Sequence, residues 1–124
     1  MVKKLLTIED LLAKKGWQQD EVKSVYLHIL GGELEVHRIP LVKFMDFMDR
    51  TQKGDTKAML EAQYEMIYAC CPILHNEQLQ EVYECKDPLD IVPKILRESI
   101  MDMNALVTAI SSFYGVDLDE DLKN

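Results

Sequence analysis

The residues best equipped for chemistry are two histidines, His28 and His37, standing with Glu33 and Glu35 along one short stretch. An imidazole beside a carboxylate can relay protons or hold a metal. Both histidines fall on the polar face of a hairpin with His28 opposite Glu35 and His37 opposite Tyr26, so an exposed His28–Glu35 pair already accounts for them. Three cysteines, Cys70, Cys71 and Cys85, cannot all pair within one chain, and Cys70 and Cys71 point in different directions on a helix. Zinc would need a fourth ligand and a C-x-x-C or H-x-x-x-H spacing, and His75 is the one nearby candidate. Small buried thiols in a reducing setting are the expectation. A cysteine nucleophile needs a base and an orienting group, and Cys71 followed by Pro72 offers neither in sequence. Ser99, Ser111 and Ser112 sit in helical context without a nucleophile-elbow pattern. Gly31-Gly32 lies between strands instead of opening a helix ahead of Lys and Ser or Thr, so it reads as a turn and not a phosphate loop. No catalytic residue, cofactor or metal ligand is assigned, and the chain is expected not to be an enzyme.

The chain has 124 residues, enough for one core and short for two. With 48% hydrophobic and 29% charged residues it has enough apolar material to fold. A formal charge of −8 disfavours nucleic-acid backbones and anionic membrane surfaces, both of which reward clustered Lys and Arg. The opening Met1-Val2-Lys3-Lys4-Leu5-Leu6 meets Glu9 and Asp10 before the apolar core of a signal peptide can form. No stretch reaches the roughly 18 apolar residues of a membrane span. Neither nucleic acid nor membrane is therefore expected as a partner.

The elements that would position these residues can be read in order. Thr7-Ile8-Glu9-Asp10 resembles a capping box with Asp in the last place, and Gly16 follows Lys14-Lys15 where a left-handed C-cap would fall. This predicts a loosely attached helix within 1–16. Ser24 to Leu30 and Glu33 to Ile39 alternate around Gly31-Gly32, predicting a hairpin over 23–39 with a two-residue turn. In that register 29 faces 34 and 27 faces 36, gathering Val25, Leu27, Ile29, Leu34 and Val36 on one face. A lone hairpin is marginal in water, so the apolar face must lie on helices.

Residues 40–115 supply those helices. Pro40 precedes a helix carrying Leu41, Phe44, Met45 and Met48; Thr51-Gln52-Lys53-Gly54 closes it and Asp55 caps the next. Leu60, Tyr64, Ile67, Cys71 and Leu74, widened by Met59, Ala62, Met66 and Cys70, mark the central helix, limited by Pro72. Asn76 caps a short helix to Val82. Asp87 and Asp90 are alternative starts for another, and Pro93 favours Asp90. Ile100, Met103, Leu106, Val107, Ile110, Phe113 and Tyr114 form the last stripe, ending at Gly115; residues 116–124 read as an acidic tail. The expected fold is α+β, mainly helical: one antiparallel hairpin packed on about four to six helices in a single domain.

Ordinary core filling explains most of the seven methionines, while their flexible thioethers also suit surfaces that repack against apolar partners. Phe47 and Met101 lie off the centre of their own stripes. With Phe44, Met48, Met103 and Phe113 they make the candidate partner-binding set, suited to a partner helix in a groove or to self-association.

This order of elements resembles the XkdN-like tail assembly chaperones of contractile-tailed phages and prophages of Gram-positive bacteria. The similarity is carried by Leu6-Thr7-Ile8-Glu9-Asp10-Leu11-Leu12, by Leu30-Gly31-Gly32-Glu33-Leu34-Glu35-Val36 with Arg38 after it, and above all by Tyr64 to Leu74, ending Ile67-Tyr68-Ala69-Cys70-Cys71-Pro72-Ile73-Leu74. Cys85-Lys86-Asp87-Pro88-Leu89-Asp90-Ile91-Val92 follows. The resemblance implies a chaperone that binds the helical tape measure protein in the host bacterial cytoplasm before the tail tube forms around it. It carries no catalytic residues. A small acidic adaptor of the phage particle is the alternative.

Overall fold

The computed structural model describes residues 5–13 and 21–116. Among them run α1 (Ile8–Ala13), β1 (Val22–Leu27), β2 (Gly32–His37), α2 (Leu41–Lys53), α3 (Thr56–Cys70), α4 (Glu77–Val82), α5 (Ile91–Leu96) and α6 (Ile100–Ser112), with 3-10 turns at Pro72–His75 and Pro88–Asp90. The chain is mainly helical α+β, with one two-stranded antiparallel sheet near its N-terminus. Gly16 and the tail beyond Val116 lie outside the described residues.

The helix starts follow local chemistry. The Thr7 hydroxyl accepts from Asp10 N–H at 3.2 Å and the Asp10 carboxylate accepts from Thr7 N–H at 3.0 Å, completing a capping box. Asp55 and Asn76 side chains accept from Ala58 and Leu79 N–H, both at 2.8 Å. Gly54 closes α2 where expected. α5 starts after Asp90, as Pro93 favours, but Asp90 makes no side-chain cap there. Asp87 caps the 3-10 turn before it, accepting from Leu89 N–H at 2.9 Å, while the Asp90 carboxylate reaches back to Asp87 N–H at 3.2 Å. Pro93 still falls in the first turn of α5, so no kink results.

Two expectations need correction. The hairpin pairs Val25 with Leu34 and Leu27 with Gly32, a slide of four residues from the expected register, and its loop is the four residues His28 to Gly31. The Leu27 carbonyl accepts from Gly31 N–H at 2.9 Å, and Gly31 supplies the positive φ of +64° that ends the loop. Because four is an even number, no side chain changes face. Val25, Leu27, Leu34 and Val36 are buried together, but Ile29 moves into the loop and is exposed.

The second correction concerns α3. Ala62, Met66, Ile67 and Cys70 are its buried residues, and Leu60 and Tyr64 lie at the margin. From Ala58 to Cys70 only Glu61 is exposed, because α2, α5 and α6 all pack around this helix. A helix buried on most sides shows no narrow stripe.

The core joins Leu27 and Val36 of the hairpin to Phe44, Met66, Ile67, Leu74, Ile91, Leu96, Leu106 and Ile110. Tyr114 ties its two ends together. Its ring stacks on Phe44 at 4.2 Å, and its hydroxyl accepts from Ile39 N–H at 3.1 Å and donates to the Ile39 carbonyl. Beyond α6, Val116 N–H reaches the Ser111 carbonyl and Gly115 N–H the Ser112 carbonyl, a Schellman closure with Gly115 left-handed.

Candidate docking groove

α6 shows two faces to the hairpin. Met103, Leu106, Val107 and Ile110 enter the core, whereas Ala105, Thr108, Ala109 and Ser112 lie beside β1. These four side chains are too short to reach Ser24 and Tyr26 across the gap, so an open groove of about 570 Å³ remains between helix and strand. Tyr26 and Met101, 51% and 58% exposed, rim it toward the start of α6. At the other end the Lys23 ammonium donates to Ser112 Oγ and lies 4.9 Å from the Phe113 ring centre.

What holds β1 at this spacing is Asp102. Its carboxylate, fully buried in the first turn of α6, accepts from His28 N–H at 3.0 Å and Ile29 N–H at 2.9 Å. The start of a helix favours an anion, and the two N–H groups replace its lost hydration. Asp102 N–H in turn donates to the N-cap Ser99 hydroxyl at 3.3 Å. Sequence reasoning missed Asp102; the signal available was Ser-x-x-Asp at the head of an apolar stripe, a spacing that predicts only a capping box.

The six partner-binding candidates do not form one surface. Phe44, Met103 and Phe113 are buried in the core. Phe47 and Met48 are half-buried against it, with the Arg50 guanidinium 5.1 Å from the Phe47 ring centre. Only Met101 reaches the groove, where it meets Tyr26, a residue outside that set.

The residues first considered for chemistry are dispersed. Glu35 pairs with its strand neighbour His37 at 2.9 Å and not with His28, whose ring packs edge-on to Tyr26 at 5.0 Å. His75 bonds the Tyr68 carbonyl at 2.7 Å. Cys70 and Cys71 are fully buried, and burial pushes both thiols up to about 12, so they stay protonated near neutrality. Cys85 is half-buried. Among the described residues no group of three or more His, Cys, Asp or Glu side chains is placed to hold a metal, and no helix is long and apolar enough to cross a membrane.

A second apolar hollow, lined by Ile73, Leu79 and Val82, lies on α4 and the turn before it. No protein-family model matches the chain, and no curated protein or solved structure matches it at a significant level.

Proposed function

We propose that this protein is a non-catalytic binding domain, a phage or prophage tail assembly chaperone that holds an amphipathic helix of the tape measure protein in the host bacterial cytoplasm. The observation that carries this reading is the groove between β1 and α6. Its helix side is built of Asn104, Ala105, Thr108, Ala109 and Ser112, and its rim exposes Tyr26 and Met101. Short side chains let a second helix backbone approach closely. A flexible thioether and an amphipathic ring adapt to varied apolar clients. The resemblance of Thr7 to Leu12, Leu30 to Val36 and Tyr64 to Leu74 to the tail assembly chaperones supplies the identity of the client.

The test is co-expression with the tape measure protein of the same gene cluster. The expected result is a soluble client that co-elutes with this chain by size exclusion, and loses it when Met101→Asp and Tyr26→Asp are combined. Equal client solubility with and without this chain, and no co-elution, would refute the proposal.

One observation favours the adaptor reading. Ile73 and Val82 are 61% and 72% exposed around a hollow separate from the groove, and an adaptor needs two apolar surfaces to join two neighbours. Recovery of this chain in stoichiometric amount from finished particles would support that role, since a chaperone is left behind.

A further inference from the structure

The side of β1 that borders the groove is a strand edge and not a sheet face. Ser24, Val25 and Tyr26 line the groove as consecutive residues, whereas a face would present alternate ones. The hydrogen-bonding phase agrees. Arg38 N–H donates to the Glu21 carbonyl at 3.0 Å, and steps of two from that pair reach Lys23–Val36, Val25–Leu34 and Leu27–Gly32, the pairs that exchange bonds within the hairpin. Val22, Ser24 and Tyr26 fall between them, so their N–H and C=O groups point away from β2. Among the described residues no further strand lies on that side, and nothing bonds to those groups.

An open row of backbone donors and acceptors is a template for another strand. The two edges of the hairpin differ in what they admit. On β2 the outward positions are Glu33, Glu35 and His37, and a copy laid antiparallel there would set the exposed Glu35 against its own counterpart. On β1 they are Val22, Ser24 and Tyr26, with Val22 40% exposed and Tyr26 half-exposed. No residue lining the groove carries a charge, although the chain as a whole stands at −8. Two chains of that charge repel over most of their surface and can meet where carboxylates are absent. Lys23, the nearest cation, folds back onto Ser112 and Phe113 of its own α6.

We propose that the free β1 edge pairs with β1 of a second copy of this chain, antiparallel across a two-fold axis at Ser24. In that register Val22 faces Tyr26 of the second copy, Ser24 faces its counterpart and Tyr26 faces Val22 of the second copy. Each of these pairs exchanges two backbone bonds, and the two hairpins become one closed, four-stranded sheet. Sliding the register by two residues either way leaves one outward residue of each copy opposite a position outside β1. Each exposed Val22 gains an aromatic partner, a cross-strand pairing that stabilises sheets. The incoming strand lies about 4.8 Å from β1, in space that the short Ala105, Thr108 and Ala109 side chains leave open. The pairing stands on the edge geometry, but its consequence for function rests on the client reading: second copy and client exclude one another, so client binding starts from the monomer.

Sedimentation velocity of the unsubstituted chain alone, from micromolar to near-millimolar, tests this together with amide hydrogen exchange at both ends of that range. The expected result is a concentration-dependent dimer of twice 14.4 kDa, with Ser24 and Tyr26 amides protected in the dimer and open on dilution. Ser24→Pro removes an outward N–H that the β1–β2 ladder does not use, and should raise the dissociation constant by about tenfold or more because the loss is met twice across the axis. Tyr26→Lys keeps the backbone, charges the edge and should act in the same direction, which decides the matter if the proline variant fails to fold. A monomer at every concentration would overturn the inference. So would a dimer that persists unchanged in Tyr26→Lys, or one whose Ser24 and Tyr26 amides exchange as freely as in the monomer. Adding the tape measure protein separates the two proposals. A monomer that co-elutes with client removes the second copy and leaves the chaperone reading standing. A dimer weakened by the substitutions but indifferent to client supports the β1 pairing and counts against the chaperone reading.

Discussion

The Asp102 carboxylate accepts the backbone N–H of His28 at 3.0 Å, across 74 residues of sequence, and this contact joins the hairpin loop to the first turn of α6. With the matching bond from Ile29 it gives the loop's first two N–H groups acceptors that the strand ladder does not offer. Asp102→Ala should therefore strand two donors and cost about 2–4 kcal/mol. Asp102→Asn keeps one acceptor but turns an amide N–H toward the loop, and should cost about half as much. Urea unfolding of the three chains measures this; equal midpoints would show that the loop does not depend on Asp102.

The helix ends at Glu84 and Arg97 are closed by Schellman bonds without glycine. Cys85 N–H reaches the Gln80 carbonyl and Glu98 N–H the Pro93 carbonyl, both at 3.0 Å, with Glu84 at φ +56° and Arg97 at φ +51°. A side chain in that left-handed conformation is strained where glycine is not. Glu84→Gly and Arg97→Gly should each stabilise the fold by about 0.5–1 kcal/mol, raising the thermal midpoint by a few degrees.

Gly54 behaves oppositely. Its φ of −85° suits any residue, but a Cβ there would lie 2.5 Å from the Ala58 Cβ at the tight joint between α2 and α3. Gly54→Ala should destabilise by about 1–3 kcal/mol, and adding Ala58→Gly should recover much of the loss in a double-mutant cycle.

Buried thiols set the alkaline limit. Burial raises Cys70 and Cys71 from 9.0 to about 12, and burial also raises Tyr64 and Tyr114. A folded-state value above the unfolded one means that unfolding releases protons. The stabilisation is complete below about pH 9 and is lost as pH rises toward about 12. Unfolding free energy measured from pH 8 to 11 should fall with pH, and Cys70→Ala with Cys71→Ala should flatten that slope while lowering the plateau. An unchanged slope in the double variant would contradict the assignment.

Local bonding made much of the fold legible. Thr7, Asp55 and Asn76 sit one turn from the N–H groups they cap, Gly54 and Gly115 stand where helices close, and Val25, Leu27, Leu34 and Val36 alternate as a half-buried hairpin must. None of these requires knowing what lies opposite. The end of α4 at Val82 was read from the sequence, but its closure through Glu84 and the end of α5 at Arg97 were not legible, because the bonds that close them come from the packed backbone and not from a glycine's freedom.

The candidate site was read only in part. Met101 stands out in sequence as an apolar residue off its own stripe, but Phe44, Met103 and Phe113 look equally available until neighbouring elements bury them. A side chain's type and spacing are properties of the chain, and these determined the class of fold, the faces of the hairpin and the caps. Which apolar residues remain exposed, and which of two same-faced registers the hairpin adopts, depended on tertiary structure. Sliding β1 by four residues leaves every side chain on the same face, so the alternation could not choose; the four-residue loop is closed locally by left-handed Gly31, and its first two N–H groups are taken by the buried Asp102 carboxylate, a partner that only the tertiary structure brings there.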